Sequence, residues 1–252
     1  MRHFQSLLLL LAATVLTTKV QAQVINGDLN HNGDLDVDDI TLLINGYLTG
    51  EKEYFNGGSV NNGHEYVDLG LSVKWATMNV GANAPEENGD YFAWGETEPK
   101  DYFDVSTYKW CNGSENTLTK YCTYSDYGTV DNKAVLDLED DAAHANWGGA
   151  WRMPTVDEME ELKEKCNWEW TTQSGVNGQK VTGPNGNSIF LPAAGYRWFD
   201  LLYSAGSYGN YWSGSLLPYD DNYACCLYFN SGGTNLGGDN RGSGHSVRAV
   251  CP

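Results

Sequence analysis

The chain is short of positive charge. Its 252 residues carry 15 Lys and Arg against 33 Asp and Glu, a formal charge of −18. No basic cluster interrupts that acidity, which argues against nucleic acid and anionic membrane surfaces as partners. Long aliphatic runs are scarce too. Beyond the first residues no stretch is apolar for long enough to make a transmembrane helix. Catalytic signatures are missing: no Gly-x-Ser-x-Gly, no phosphate-binding loop, no His-Glu-x-x-His, no Gly-x-Gly-x-x-Gly. His64, His144 and His245 have no spacing partner for zinc. No Cys-x-x-Cys occurs, so thioredoxin-like redox chemistry is not indicated. The reading is a protein that is not an enzyme. A glycosidase-type carboxylate pair is the remaining catalytic alternative, with nothing to single one out.

What is present begins with an export signal. Arg2 gives a positive start, Ser6 to Leu16 an apolar core, and Val20-Gln21-Ala22 a small-residue cleavage site. Residues 1–22 therefore read as a signal peptide, and the expected destination is the periplasm, the outer surface or the medium. Losing Arg2 and Lys19 with it takes the charge from −18 to −20. The six Cys of an exported chain permit disulfides, in 15 connectivities. Cys111 and Cys122 flank a turn-like segment and could close it. Cys225 and Cys226 are adjacent and would face opposite sides of a strand. The 29 Gly, 16 Tyr and 9 Trp point to short strands and many turns rather than a helical bundle.

The firmest spacing lies just after the signal. Asp28, Asn30, Asn32, Asp34, Asp36 and Asp39 fall where an EF-hand loop places its calcium ligands, and Gly33 supplies the sharp turn. Asp34 would coordinate through its backbone carbonyl and Asp36 directly or through water. Asp39 would be the closing carboxylate, a methylene shorter than the usual Glu. Ile40, Leu43, Ile44, Tyr47 and Leu48 then predict a helix ending at Gly50. The unit, 26–50, resembles one repeat of a type I dockerin. That resemblance implies calcium and a cohesin-like partner, although a full dockerin has two repeats and no second is found. An acidic turn without metal is the alternative.

Residues 51–63, rich in Gly and Asn, read as a linker to a main domain at 64–252. Strands are expected at 65–69, 71–77 and 90–95, and an irregular surface excursion at 101–131. Pro154, Thr155 and Glu158 predict a helix start with a capping box, followed by Met159, Leu162 and Cys166 on one face. Asn177-Gly178 and Asn185-Gly186 read as hairpin turns around strands 168–172, 179–182 and 188–191. Strand character returns at 211–213 and 223–229, then a loop of Gly, Asn, Asp and Arg, then Ser246 to Cys251.

In this domain Tyr66 to Thr77, Gly89 to Glu96, Asp140 to Ala143, Trp147 to Thr155, Ile189 to Arg197, Tyr211 to Ser213 and Ser246 to Val250 occur in order. Together they resemble the Fibrobacter succinogenes major paralogous domain family, over nearly the whole of 64–252. The resemblance implies a C-type lectin-like fold in the sulfatase-modifying-factor branch. The expected class is α+β: short antiparallel strands, one clear helix and long loops, plus the small N-terminal calcium-loop helix. The formylglycine-generating oxidases of that branch have active cysteines in a context that Cys225, Cys226 and Cys251 do not reproduce. The branch also contains the variable proteins of diversity-generating retroelements, whose C-terminal face is varied mostly at Asn codons. Residues between Tyr208 and His245 are dominated by the set reachable from such codons. A turn-rich surface has much the same composition.

The expected function is a secreted, non-enzymatic binding protein presenting its C-terminal segment to a glycan or a protein. The candidates are Tyr208, Tyr211, Tyr219, Asp220, Asp221, Asn222, Asn235, Asp239, Asn240, Arg241 and His245. Tyr gives contact area at low entropic cost, Asn and Asp give hydrogen bonds, and Arg a fork for anions. Trp75, Trp94, Trp147, Trp151, Trp212, Leu227, Phe229, Val247 and Val250 read as core, and Arg248 as a structural hydrogen-bonding group. The alternatives are a calcium-dependent surface assembly module and a cryptic carbohydrate-active enzyme.

Overall fold

Asn62 and Gly63 both take positive φ, 48° and 85°, the geometry of a tight hairpin turn. They join β1 (Ser59–Asn61) to β2 (His64–Val67), so strand structure begins inside the expected linker. The computed structural model describes residues 59–252; the signal segment, the calcium loop and its helix lie outside the described residues. The chain divides into two units at Ser59, and the second is Val60–Pro252. β2 pairs with β3 (Lys74–Ala76), and β3 pairs with the closing strand β12 (Val250–Cys251) in a four-stranded sheet. The start and end of the domain are thereby joined. Arg248 locks that junction. Its guanidinium, 1 % exposed, donates to Asn79 Oδ1 and to the carbonyls of Ala76, Thr77 and Phe190. Burial lowers its pKa to about 10, still charged at neutral pH.

Two helices follow the 101–131 region. α1 (Ala142–Trp147) is one short segment, capped by Asp141, whose carboxylate accepts from the His144 N–H. α2 (Val156–Lys165) starts as the sequence predicts. Thr155 accepts from the Glu158 N–H, and Glu158 accepts from the Thr155 N–H. Arg152 pairs with Glu158 at 2.5 Å and fixes the entry angle. Met159 and Leu162, one turn apart, are fully buried.

β4 (Asn167–Gln173), β5 (Val176–Thr182) and β6 (Ser188–Pro192) form an antiparallel sheet. The expected turn at Asn177-Gly178 is not there. Ser174 and Gly175 turn instead, at φ 48° and 85°, and the strand runs on through Asn177 and Gly178. Only glycine fits at 178, because a Cβ would lie 2.3 Å from the Leu191 carbonyl oxygen. β7 (Tyr196–Trp198) and β8 (Leu201–Tyr203) make a separate hairpin.

The central sheet has the order β11-β10-β9, from β9 (Gly209–Leu216), β10 (Tyr223–Asn230) and β11 (Gly233–Asn240). It is packed on both faces. Tyr211, Leu227 and Phe229 join Met159, Leu162, Val181 and Leu191 on one side. Trp212, Ala224 and Cys226 join Trp94, Trp151 and Val247 on the other. The residues expected as core are all buried. The 101–131 excursion has its own small core of Phe103, Tyr108, Leu118 and Cys122, and so is a packed lobe.

The α+β expectation is corrected. Strand accounts for 37 % of the described residues and helix for 11 %, so the class is mostly β, with several antiparallel sheets and one helix of substance, α2. Two local expectations fail with it. Asp90 to Gly95 is not a strand and bridges only at Phe92, to His245. The Gly- and Asn-rich stretch read as a loop contains β11, held by backbone pairing to β10 all along its length. The disulfide expectation is not met: all six Cys are free. The Cys111 thiol donates to the Val105 carbonyl at 2.9 Å and Cys122 to Tyr124 at 3.2 Å.

Candidate ligand-binding face

The eleven candidate residues do not form one surface. Four are buried supports. Tyr211, 1 % exposed, donates to the Pro192 carbonyl at 2.7 Å and stacks on Phe229. Arg241, also 1 % exposed, donates to the Tyr108 hydroxyl and to the carbonyls of Tyr121, Asp221 and Lys120. Its guanidinium lies 4.8 Å from the centre of the Trp94 ring, inside a cage completed by Tyr108 and Tyr121. His245 stacks on Trp212 at 3.9 Å and bonds Asp239 through Nε2 at 2.9 Å. Burial, the largest single influence, works against the charge on Asp239, but the His245 imidazole and the Asn240 N–H together outweigh it and hold the carboxyl below its usual range.

Asp221, the fourth, is fully buried, yet it shapes the surface. Its carboxylate accepts from the Thr123 N–H, the Thr123 hydroxyl and the Tyr124 N–H at 2.5, 2.8 and 2.9 Å. This ties the 116–127 segment to the turn before β10. Asn222 and Asn116 exchange amide hydrogen bonds across the same seam. The Tyr127 hydroxyl donates to the Tyr219 carbonyl at 3.4 Å.

On that seam stands the most exposed large hydrophobic side chain among the described residues. Tyr219 is 82 % exposed and holds φ at 75°. For a bulky residue that backbone costs about 1–2 kcal/mol, so the neighbouring bonds must hold it there. Tyr124 and Tyr223 are exposed beside the same connections, and Asp220 and Asn222 are half-buried. The result is a corner of tyrosines, amides and carboxylate on a rigid base. Tyr124, Tyr127 and Asn116 were not among the candidates. Their signal was composition: Tyr124-Ser-Asp-Tyr127-Gly is as rich in contact residues as the C-terminal segment.

The other candidates lie elsewhere. Tyr208 is exposed before β9, and its carbonyl accepts from Gly195. Asn235 is exposed on β11, opposite Tyr228. Asn240 accepts from the Gly242 N–H and shapes the turn after β11.

The calcium ligands Asp28, Asn30, Asn32, Asp34, Asp36 and Asp39 lie outside the described residues. Among the described ones, Asp137, Glu139 and Asp140 bring carboxylate oxygens within 4.8 Å of one another, a group that could hold a metal ion and is not specific for calcium. Lys120 already ion-pairs with all three, at 2.9, 3.3 and 2.5 Å. Among the described residues no helix is long and apolar enough to cross a membrane.

These ion pairs set an acid limit. Bonds from Lys133 and Lys120 hold Asp137 down to about 2, and bonds from Lys165 and Ser72 do the same for Glu161. Burial raises Glu158, but Arg152 and the Thr155 bonds together outweigh it and the net shift is downward. Each folded pKa is depressed, so the unfolded chain binds more protons between the two values. The stability is present above pH ~4–5 and is lost as pH falls toward 2. Asp141, raised by burial, acts in the opposite sense. The melting temperature is therefore expected to hold steady from pH 7 to 5 and fall from pH 4 to 2. A flat profile across the lower range would remove these pairs from the account.

No family model matches the chain, and no curated protein or solved structure matches it.

Proposed function

We propose that the chain is an exported binding protein, not an enzyme, that presents its tyrosine corner to a glycan or a protein. The observation that supports this reading is Tyr219, held outward in a costly backbone conformation on a seam tied down by Asp221. Preorganised aromatic side chains with amides beside them lose little entropy on binding. The resemblance to the Fibrobacter succinogenes major paralogous domain family fits an exported chain of this kind. Tyr219, Asp220, Asn222 and Tyr223 also belong to the residue set reachable from Asn codons, which suits a diversified surface of the retroelement type.

Glycan and protein arrays probed with the mature chain test the reading. Tyr219→Ala and Asn222→Ala are expected to abolish or greatly weaken whatever signal is found while leaving the melting temperature within about 1–2 °C. Unchanged binding in both variants sinks the corner.

The second reading rests on the ligand spacing at Asp28 to Asp39. There the loop binds calcium and acts as a docking element, with a cohesin-like or other surface-assembly partner. Calorimetry is expected to show calcium heat in the mature chain and none in Asp28→Ala. The carboxylates at 137–140 act as an internal control, since Asp28→Ala leaves them intact.

A further inference from the structure

β11 is the outer strand of the central sheet, and among the described residues it pairs only with β10. The register shows which of its backbone groups that pairing uses. Arg241, just past the strand, donates its N–H to the Asn222 carbonyl on the facing segment. Bonded residues alternate along an antiparallel ladder, so Gly233, Asn235, Gly237 and Asp239 also turn their backbone groups toward β10. The N–H and C=O groups of Thr234, Leu236 and Gly238 then point away from the sheet. Among the described residues none of them has a hydrogen-bond partner. At Asn240 the outward carbonyl accepts from the Ser243 N–H, so the open stretch ends there. Gly238 has no side chain, yet it is exposed, which puts its own backbone in contact with solvent.

Open edges are usually blunted by lysine, proline or a bulge. β11 has none of these: it reads Gly-Thr-Asn-Leu-Gly-Gly-Asp-Asn, and its register with β10 runs unbroken. Where the open stretch begins, a cleft of about 420 Å³ is lined by Lys163 of α2, Trp168 and Trp170 of β4, Gln179 of β5 and Thr234. Trp168 tilts against Phe229 at 6.0 Å, and Phe229 faces Thr234 across the ladder. Facing residues share one side of a sheet, so the cleft lies on the Thr234 side. Both rings are half-buried and leave apolar surface uncovered. The charge around the edge is negative. α2 packs against β11 and exposes Asp157, Glu160 and Glu164, and Glu169 is exposed between the two tryptophans.

We propose that β11 accepts an extended segment of a partner protein as an added strand, and that this segment carries an apolar side chain flanked by basic residues. Its backbone pairs with Thr234, Leu236 and Gly238, which gives the addition its affinity. Its residue opposite Thr234 shares that side of the sheet and lays its side chain against Trp170, which gives the addition its specificity. Lys163 in the cleft wall selects an apolar side chain there over a basic one. The exposed carboxylates of α2 and β4, on a chain of formal charge −18, attract the flanking basic residues. The same carboxylates disfavour a second copy of this chain, which would bring identical negative charges to the seam.

The test titrates the mature chain with short lysine- and valine-rich peptides that carry a central tryptophan or leucine, read by fluorescence anisotropy and amide exchange. At least one is expected to bind saturably and to slow exchange at Thr234, Leu236 and Gly238. N-methylating alternate peptide amides should weaken binding roughly tenfold or more in one phase and little in the other, because an added strand turns only every second N–H toward β11. That comparison uses the unaltered protein, so it holds even if Trp170→Ala fails to fold. Trp170→Ala should weaken binding severalfold, glutamate in place of the peptide lysines should abolish it, and Tyr219→Ala should leave it unchanged. The proposal is overturned if no peptide binds, if both N-methyl phases lose affinity equally, if a folded Trp170→Ala binds at full strength, if the glutamate peptide binds as well, or if binding is lost in Tyr219→Ala. Self-association of the mature chain in sedimentation, with the same three amides protected in the absence of peptide, also overturns it and assigns the edge to a second copy.

Discussion

Arg241→Ala is expected to destabilise the protein by roughly 3–5 kcal/mol, a large part of the stability of a domain this size. The side chain is 1 % exposed and makes four hydrogen bonds, to the Tyr108 hydroxyl and to the carbonyls of Tyr121, Asp221 and Lys120. Removing it leaves those acceptors buried without their donor and empties the centre of an aromatic cage. The burial of Tyr108, which pushes its hydroxyl pKa upward, means that this partner cannot turn to water instead. Arg241→Lys keeps a charge but loses the planar fork, so it should recover only part of the loss. Denaturant unfolding of both variants measures the effect. If Arg241→Ala melts like the parent and loses only ligand binding, the residue belongs to the recognition face after all. The expected result is the opposite: the 116–127 segment loosens first, and binding at Tyr219 falls because its base has gone.

That contrast explains how much of the molecule could be read from the residues. Thr155 and Glu158 announce α2 because a cap is a local device, complete within four positions. The core tryptophans are legible because nothing else in an acidic, Gly-rich chain suits them to solvent. β11 is silent, since Asn235, Gly237, Gly238 and Asp239 are turn formers by propensity. The strand exists because β10 offers it a full backbone ladder, and glycine at 238 leaves the room that the Leu217 side chain takes, 2.6 Å from where a Cβ would stand. The helix therefore spoke loudly and the strands softly, which tilted the expectation toward α+β. The site was misjudged for a related reason. Asp221, Arg241 and His245 sit in polar, Gly-rich sequence and look solvated. They are buried because the 101–131 lobe and the strand-poor 90–95 segment cover them, partners about a hundred or more residues away. Nothing near Arg241 in the chain records that Tyr108 and Lys120 will close over it.

Trp212→Ala tests the other half of that argument, and a loss of about 3–5 kcal/mol is expected. Trp212 is fully buried on β9, donates its indole N–H to the Phe92 carbonyl at 2.8 Å, and stacks on His245 at 3.9 Å. His245 in turn holds Asp239, the half-buried carboxylate on β11. Truncation opens a cavity between the central sheet and the closing segment, and it removes the flat surface that sets the imidazole's orientation. The damage should therefore travel outward along a defined route. Amide exchange is expected to speed up on β11, around Asp239 and Asn240, more than on β4 or β5, which pack on the opposite face of the sheet. Trp212→Phe restores a ring without the N–H and should recover most of the packing. A uniform rise in exchange across both faces would mean that the two cores unfold as one unit and that the His245–Asp239 pair carries no local order of its own. A rise confined to β11 and the segment from Arg241 to Ser246 would show the buried candidates acting as the frame on which the exposed ones stand.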